Sequence, residues 1–339
     1  MESSQISPRI AIYGLGFVGQ QLAGFALDKG WEIVGAYNRA GEKIGQDLGS
    51  LLGRDPIGLR VEDCDTADYS RLTADIAFVA VSDRLEVNYP SYERLMSAGA
   101  NILCHGAESC NPRRLNPGIA EKLQVLALKN NVTFTGGGIW DMTRIWAGIL
   151  SVGPNTEITS MTHTSFTDIA RQGVHLLRFC GAGLSVDEYL SNDVGGKTGL
   201  AGIAIIPPLC VIDALGLDVS DIEENLEPIV WTQDHDSHWL QQNLRAGTVV
   251  GTRMSVEILT KQGITVNACF EYRDFREDEQ EEMIWKVQGK PSMEVRVVRE
   301  ASHMASASSL FNRIPDVLAA KSGIRELWTY PPLRPSMFI

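Results

Sequence analysis

A glycine-rich turn near the start of the chain constrains the fold more than any other feature. It follows a short apolar run (residues 9–13) and precedes a run with helical spacing (residues 17–29). In such a strand–turn–helix unit, Gly14 permits the tight turn, Gly16 lets a pyrophosphate approach the backbone, and Gly19 lets helix and strand pack closely. The alternative is a glycine-rich turn without a ligand. The predicted phosphate-binding residues are Gly14, Leu15, Gly16, Phe17, Val18 and Gly19.

The end of the next predicted strand indicates which dinucleotide is bound. This strand, residues 32–37, ends at Asn38 and Arg39, where NAD enzymes of this fold usually carry a carboxylate. A guanidinium suits a ribose 2′-phosphate because it forms paired hydrogen bonds and stacks on adenine. The sequence therefore predicts NADP as the cofactor, with NAD as a second possibility. The alternative is that Arg39 is a solvated loop cation.

The order of apolar segments predicts the fold class. Strands and helices alternate in the first part, which is typical of a doubly wound parallel Rossmann sheet. Strands of alternating polarity dominate later, which indicates an α+β domain with a mainly antiparallel sheet. We predict a dinucleotide-binding domain at 1–146, a substrate and dimerisation domain at 147–303, and a C-terminal helix and tail, 304–339, that returns to the first domain. The predicted segments are strands 76–81, 101–104, 132–135, 157–166, 248–260, 264–272 and 293–298, and helices 89–98, 112–130, 168–179, 198–215 and 305–320.

Composition excludes several function classes. The formal net charge of -12 disfavours nucleic-acid binding, which needs cationic surface for the phosphates. The longest apolar run, residues 199–210, is too short to span a bilayer, and residues 1–8 do not have the pattern of a signal peptide. The six cysteines contain no C-x-x-C pair and are expected to be reduced thiols. We expect a cytoplasmic protein without a membrane or nucleic-acid partner.

Candidate catalytic groups follow the predicted parallel strands, because ligands of this fold bind beyond the carboxyl ends of the strands. Val81 ends one strand and Ser82 follows it, whereas His105 and Glu108 follow the next. Val81, Ser82 and His105 are predicted to bind the cofactor. A carboxylate beside a hydride-accepting carbon transfers protons and stabilises a cationic iminium, so Glu108 is the preferred catalytic candidate. The alternative for Glu108 is a loop residue that helps a helix to begin. For His105, a structural role at the strand edge is preferred over general acid catalysis.

Several stretches resemble a known enzyme family. Residues 98–108, the Asn38-Arg39 pair, residues 43–53 and residues 312–320 resemble the 2,4-diaminopentanoate dehydrogenases and their relatives, the native amine dehydrogenases. The resemblance implies that Glu108 is the catalytic glutamate and that the fold is similar to dihydrodipicolinate reductase. It also implies a homodimer formed through the second domain, and NAD(P)-dependent interconversion of amines with ketones or aldehydes plus ammonia. The paired histidines of dihydrodipicolinate reductase are absent, which argues against that reductase activity.

The chain departs from the diamino-acid enzymes after the strand at 132–135. They carry a glycine-rich stretch with Asn-Pro-Gly, whereas residues 137–146 here include Trp140 and Trp146. Two tryptophans make an apolar wall and suggest a less polar substrate, although both are also typical of a domain core. Asp141 in this stretch is interpreted as a helix cap rather than a pocket residue.

Other polar residues of the second half are weaker candidates. Those at one predicted strand end and the following helix are predicted to contact the substrate, and each also has a structural interpretation. The proposed contacts are Thr164, Phe166 and His175, with His163 and Asp168 nearby. Residues 234–238 contain metal-ligand types, but a solvated charged loop is preferred and no metal is predicted. Residues 273–282 are interpreted as a surface turn.

Reductive amination of small ketones or aldehydes with ammonia, and the reverse oxidative deamination, is the predicted reaction. One alternative is an ammonia-independent dehydrogenase of a small carbonyl compound or oxo acid on the same scaffold. The other is a dinucleotide-binding protein without catalysis. The match at Glu108 disfavours the second alternative, and the sequence says little against the first.

Overall fold

Two units make up the protein. The computed structural model describes residues 7–39, 41–194, 201–237, 240–300 and 302–335. Unit 1 comprises residues 1–142 and 303–339, and unit 2 comprises residues 143–302. No helix among the described residues is long and apolar enough to cross a membrane.

Unit 1 contains a parallel sheet with helices on both faces. Its strands before unit 2 are β1 Ile10–Tyr13, β2 Ile33–Asn38, β3 Glu62–Asp63, β4 Ile76–Val79, β5 Asn101–Cys104 and β6 Thr133–Gly136. Its helices before unit 2 are α1 Phe17–Asp28, α2 Leu48–Leu51, α3 Leu85–Ser97, α4 Pro112–Leu115 and α5 Pro117–Asn130. The elements of unit 2 are α6 Ala147–Val152, β7 Glu157–Asp168, α7 Val174–Phe179, α8 Val186–Ser191, α9 Ile206–Ala214, β8 Val219–Val230, β9 His235–Ser237, β10 Gln242–Leu244, β11 Val249–Thr260, β12 Thr265–Arg273, β13 Glu281–Lys290 and β14 Met293–Arg299. The chain continues with α10 Ser302–Ala319 and β15 Gly323–Ile324.

The sheet of unit 1 has the order β3-β2-β1-β4-β5-β6-β15, and every neighbouring pair is parallel. Strands β1 and β4 are buried along their whole length because helices cover both faces. The order reverses between β1 and β4, which is the point where ligands bind in this fold. The predicted Rossmann fold class is confirmed.

Helix α10 completes the core on the α1 side of this sheet. Leu310, Phe311 and Ile314 belong to the same buried apolar cluster as Leu22 and Phe78. The Phe311 ring stacks on Trp31, with 4.8 Å between ring centroids. Strand β15 then pairs with β6 and extends the sheet by one strand.

Unit 2 contains a mixed sheet in the order β14-β13-β7-β12-β11-β8. Four of its five neighbouring pairs are antiparallel, and β7 pairs with β12 in parallel. Alternate residues of β7 from Met161 to Thr167 are buried, whereas those between them are half-buried. The sheet therefore has one well covered face and one more open face, as the predicted mainly antiparallel sheet requires.

Several segments differ from the sequence prediction for identifiable reasons. The helix predicted at 112–130 is two helices, because Pro117 begins a new one that the Asn116 side chain caps at Ile119 N–H. Strand β8 was not predicted, since it is an exposed edge strand with little apolar alternation. The surface turn predicted at 273–282 is wrong at both ends, where Arg273 and Glu281 are buried. Of the helix predicted at 198–215, residues 198–200 lie outside the described residues, and α9 begins only at Ile206.

Candidate functional site

The glycine turn is forced by close backbone approaches in unit 1. Gly14 has a φ of +97°, and a Cβ atom there would lie 2.4 Å from the Ala80 carbonyl oxygen. A Cβ atom on Gly19 would lie 1.9 Å from the Gly14 carbonyl oxygen. Since real Cβ atoms do not approach oxygen so closely, these two positions need glycine to pack β1, β4 and α1 together.

Gly16 differs from the other two glycines, because its surroundings are open. It is the N-cap of α1, and a Cβ atom there would meet no protein atom within 4 Å. The first turn of α1 contains no acidic residue, and its N-cap glycine has no side chain to cap it. The positive end of a 12-residue helix is thus accessible at a position without a side chain. These features fit the pyrophosphate of a dinucleotide, for which backbone approach and helix N–H groups are the usual ligands.

The other predicted phosphate-binding residues surround this helix end. Leu15 is buried, Val18 is half-buried, and the Phe17 side chain is 59% exposed. The Lys43 ammonium donates a hydrogen bond to the Leu15 carbonyl oxygen over 2.6 Å. Lys43 therefore places a cation beside the turn, a role that the sequence did not assign to it.

The end of β2 lies against the same turn. Asn38 Oδ1 accepts a hydrogen bond from the Leu15 N–H at 3.4 Å, and Arg39 is exposed at the strand end. Strand β3 places Asp63 opposite Asn38, which sequence periodicity does not reveal because β3 has only two residues. A cation at Arg39 and a carboxylate at Asp63 therefore lie beside the position expected for the adenosine ribose.

The loops after β4 and β5 pack tightly on each other. The strand ends at Val79, so Val81 lies in the following loop and is 41% exposed. Ser82 is half-buried, and its carbonyl oxygen accepts a hydrogen bond from Asn88 Nδ2 at 2.7 Å. A Cβ atom on Gly106 would lie 2.3 Å from this Ser82 oxygen, so only glycine permits the packing.

Glu108 joins these two loops through its side chain. It lies on a 3₁₀ turn, Ala107–Cys110, and its Oε2 accepts a hydrogen bond from the Leu85 N–H at 2.7 Å. Leu85 is the first residue of α3, so the carboxylate caps that helix. The reciprocal hydrogen bond runs from the Ala107 N–H to Asp83 Oδ1 at 3.0 Å. In the alternative interpretation, Glu108 helps the helix that follows it in the chain to begin. The structure shows instead that Glu108 caps α3, which precedes it.

The second oxygen of Glu108, Oε1, has no hydrogen-bond donor within the part of the chain that the structure describes. Glu108 is half-buried. One oxygen therefore fixes the carboxylate, and the other is available to a reacting group at the carboxyl ends of β4 and β5. This is the arrangement that a proton-transfer residue needs.

His105 directly follows β5 and pairs with a residue far away in the sequence. Its Nε2 lies 2.9 Å from the Ser306 hydroxyl of α10, which also accepts the Ile139 N–H at 3.1 Å. Burial lowers the pKa of His105, although the nearby Asp83 carboxylate opposes this. The imidazole is therefore neutral near pH 7 and held at the strand edge. Ser306 was missed because no sequence spacing connects it with His105.

Asp141 does not cap a helix, contrary to the sequence interpretation. Its carboxylate forms a two-pronged ion pair with Arg313 of α10, with the closest atoms 2.8 Å apart and both side chains fully buried. Burial raises the pKa of Asp141 to about 6, against the attraction of Arg313. Asp141 therefore connects the segment after β6 to α10, where a guanidinium fork matches a carboxylate.

The remaining predicted substrate residues are divided between the two units. In unit 1, Trp140 is buried. In unit 2, Trp146 is half-buried, Thr164 and Phe166 lie on the open face of the sheet, and His175 is exposed on α7. The structure therefore brings Thr164 and Phe166 together, and the role of all five residues in substrate contact stays a prediction.

His163 belongs to the covered face of the unit 2 sheet rather than to the face of Thr164. Its ring stacks on Trp285 with 4.5 Å between ring centroids, and its Nδ1 lies 3.2 Å from the Ile284 carbonyl oxygen. Burial and the positive charge of Arg144 lower the pKa of His163 to about 3. It is a neutral core histidine.

Residues 234–238 are not the solvated loop that the sequence favours. His235 and Ser237 are buried in the short strand β9, and both contact Asp274. His238 lies outside the described residues, and the absence of a metal stays a prediction. The described acidic and cysteine side chains close enough to share an ion are Asp63, Cys64 and Asp65, of which Asp65 already pairs with Arg94.

Comparison with known proteins identifies the family. The family model for the 2,4-diaminopentanoate dehydrogenase C-terminal domain matches residues 149–337, more than half of the chain. The chain belongs to the 2,4-diaminopentanoate dehydrogenase family. The family resemblance seen in the sequence is thereby confirmed, and with it the assignment of the chain to the dehydrogenases.

Several individual proteins are similar to this chain. The chain is 25% identical over 260 residues to a 2,4-diaminopentanoate dehydrogenase from Acetoanaerobium sticklandii, covering 73% of this chain and 70% of that protein. An amine dehydrogenase structure from Mycobacterium smegmatis is 26% identical, with a TM-score of 0.85 and 98% of both chains covered. A probable dehydrogenase from Thermotoga maritima is 13% identical with a TM-score of 0.58, covers 91% of this chain and 88% of its own, and shares the fold alone.

Proposed function

We propose that this member of the family is an NAD(P)H-dependent amine dehydrogenase. It reductively aminates small ketones or aldehydes with ammonia and catalyses the reverse oxidative deamination. The observation that carries the proposal is Glu108, a half-buried carboxylate fixed through Oε2 beside the ends of β4 and β5. Similarity to an amine dehydrogenase over 98% of the chain supports the same reaction class.

The cofactor is proposed to bind along the carboxyl ends of β1 and β2. The residues that would hold it are Gly14, Leu15, Gly16, Phe17, Val18, Gly19, Asn38, Arg39, Val81, Ser82 and His105. The nicotinamide ring supplies the hydride in the reductive direction and accepts it in the oxidative direction. The exposed Arg39 and the nearby Lys43 favour a ribose 2′-phosphate, so NADP is proposed as the preferred cofactor, with NAD also accepted.

Glu108 is proposed to move the protons of the reaction. Ammonia adds to the substrate carbonyl to give a carbinolamine, and loss of water gives an iminium ion. The Glu108 carboxylate carries a proton from the added nitrogen to the former carbonyl oxygen, which gives the carbinolamine. It then passes on a second proton, taken from solvent, to the hydroxyl group that leaves as water. Its negative charge then stabilises the iminium until hydride arrives. In total, a carbonyl compound, ammonia, NADPH and a proton give an amine, NADP and water.

The test is NADPH oxidation followed by absorbance, with a panel of small ketones and aldehydes and equal concentrations of ammonium chloride or sodium chloride. We expect consumption only with ammonium, and an amine product. Consumption that ignores ammonium would replace the proposal with simple carbonyl reduction. Tight NADPH binding without turnover on the whole panel would replace it with a binding protein.

A further inference from the structure

The covered face of the unit 2 sheet ends in a row of polar side chains. Tyr272 of β12 pairs with Thr167 of β7, and Glu281 of β13 pairs with Arg299 of β14. Strands β7 and β13 are joined by the hydrogen bond from the Asp168 N–H to Glu281 Oε1 at 3.1 Å. The row therefore crosses four neighbouring strands at one end of the sheet.

Two members of this row keep hydrogen-bond donors without acceptors. Arg299 is 7% exposed, and its Nε, Nη1 and Nη2 atoms have no hydrogen-bond partner in the described chain. The nearest carboxylate oxygen, Glu281 Oε2, lies 3.9 Å from Nη2, beyond hydrogen-bonding distance. The buried hydroxyl of Thr167 is likewise without a partner among the described residues.

A buried guanidinium without acceptors is costly, because each donor has lost its hydrogen bonds to water. Burial and the positive charge of Arg144 lower the pKa of Arg299 to about 10. The Arg144 side chain packs on the same face beside Ser165 of β7, and its Nη2 donates a hydrogen bond to Ser165 Oγ at 3.1 Å. The two guanidinium groups repel each other, and Glu281, at 3.9 Å, gives Arg299 an opposite charge but no hydrogen-bond acceptor.

We propose that Arg299 and Thr167 bind a small monocarboxylate within unit 2. The guanidinium fork of Arg299 matches the two oxygens of a carboxylate, and the Thr167 hydroxyl supplies a further donor. The neighbouring Glu281 carboxylate repels a second negative charge, which favours a monoanion over phosphate. The proposal is independent of the amine dehydrogenase activity, because it concerns binding alone.

The experiment is isothermal titration of the full-length protein with sodium acetate and sodium butanoate, with sodium chloride and sodium phosphate at matched ionic strength. We expect saturable binding of the carboxylates that chloride does not reproduce. Arg299→Gln should weaken that binding at least tenfold. The control is Arg296→Gln on the same strand, where the arginine side chain is 52% exposed and binding should not change. Absence of saturation in the wild-type protein, unchanged affinity in Arg299→Gln, or tighter binding of phosphate would overturn the proposal.

Two further variants decide the matter if Arg299→Gln fails to fold. Thr167→Val keeps the shape of the side chain and removes only the hydroxyl, so affinity should fall several-fold. Glu281→Gln keeps an oxygen for the Asp168 N–H and removes the repelling charge, so carboxylates should bind more tightly. If Arg299 served only as the ion-pair partner of Glu281, neither variant would change carboxylate affinity, and the proposal would be wrong.

Discussion

At the scale of single residues, Glu108 has two roles that substitutions can separate. Glutamine keeps an oxygen that accepts the Leu85 N–H but has no charge, whereas alanine loses both functions. We expect Glu108→Gln to lower kcat/KM by at least about 100-fold with an unchanged melting temperature. We expect Glu108→Ala to lose the same activity and about 1 kcal/mol of stability through the lost cap.

The matched control for Glu108 is Glu86→Gln, which removes an exposed carboxylate from the first turn of the same helix and should leave turnover intact. Steady-state kinetics and thermal unfolding measure both quantities. Wild-type turnover in Glu108→Gln would reduce Glu108 to a helix cap.

Arg39 determines cofactor preference in our proposal. Loss of a charged hydrogen bond to a 2′-phosphate costs about 1.4 kcal/mol or more, which corresponds to about tenfold in affinity. Arg39→Ala should therefore raise the KM for NADPH about tenfold and leave that for NADH nearly unchanged. Parallel kinetics with both cofactors measure the ratio, and an equal effect on both would show that Arg39 does not contact the phosphate.

His163 makes the protein sensitive to acid. Its pKa is about 3 in the folded protein, below the ordinary value of 6.5, so the unfolded chain binds the proton more readily. The contribution of His163 to the free energy of unfolding is therefore fully present above pH 6.5. It falls towards pH 3 by about 1.4 kcal/mol per pH unit for one proton. Urea unfolding at pH 7 and pH 5 should show a smaller loss for His163→Leu than for wild type. An identical loss would assign the acid sensitivity to other groups.

At the scale of elements, the three glycines of the turn should respond differently to alanine. Gly14→Ala and Gly19→Ala force contacts with backbone oxygens and should destabilise unit 1, and Gly14 also has a positive φ. Gly16→Ala places its methyl group in open space and should fold normally. It should nevertheless weaken NADPH binding, because the methyl group occupies the path of the pyrophosphate. Thermal unfolding and cofactor titration separate these effects, and normal NADPH affinity in Gly16→Ala would contradict the proposed binding mode.

The sequence predicted strands and helices correctly where the spacing of apolar residues and the residues typical of turns indicated the same boundaries. Strand β5 begins and ends where the sequence predicts, since three buried residues, Ile102 to Cys104, precede a glycine loop. The sequence did not predict strand β8, because an exposed edge strand does not need alternating apolar residues. The partner of Asp141 also could not be predicted, because Arg313 is distant in sequence and packing alone brings the pair together.

At the scale of the whole molecule, we propose a homodimer formed through the open face of the unit 2 sheet. That face carries Phe166 and two exposed apolar residues, Val298 at 49% and Leu259 at 41% exposure. Light scattering should give a mass about twice the chain mass of 37.2 kDa. Val298→Glu should shift the mass towards the monomer. The control, Leu190→Glu, changes a side chain that is 63% exposed on α8 and should not alter the mass. A monomeric wild-type protein would contradict the proposal.

The arrangement of unit 1 affects how the protein is synthesised. Its sheet uses β1 to β6 from the first part of the chain and β15 from the last part, and α10 covers the α1 side of the core. A ribosome therefore releases most of this unit early and its last strand and covering helix late. Unit 2 is translated in between and is complete while Leu22 and Phe78 still lack Leu310 and Phe311. The nascent nucleotide-binding unit must keep an uncovered apolar surface from aggregating throughout that interval.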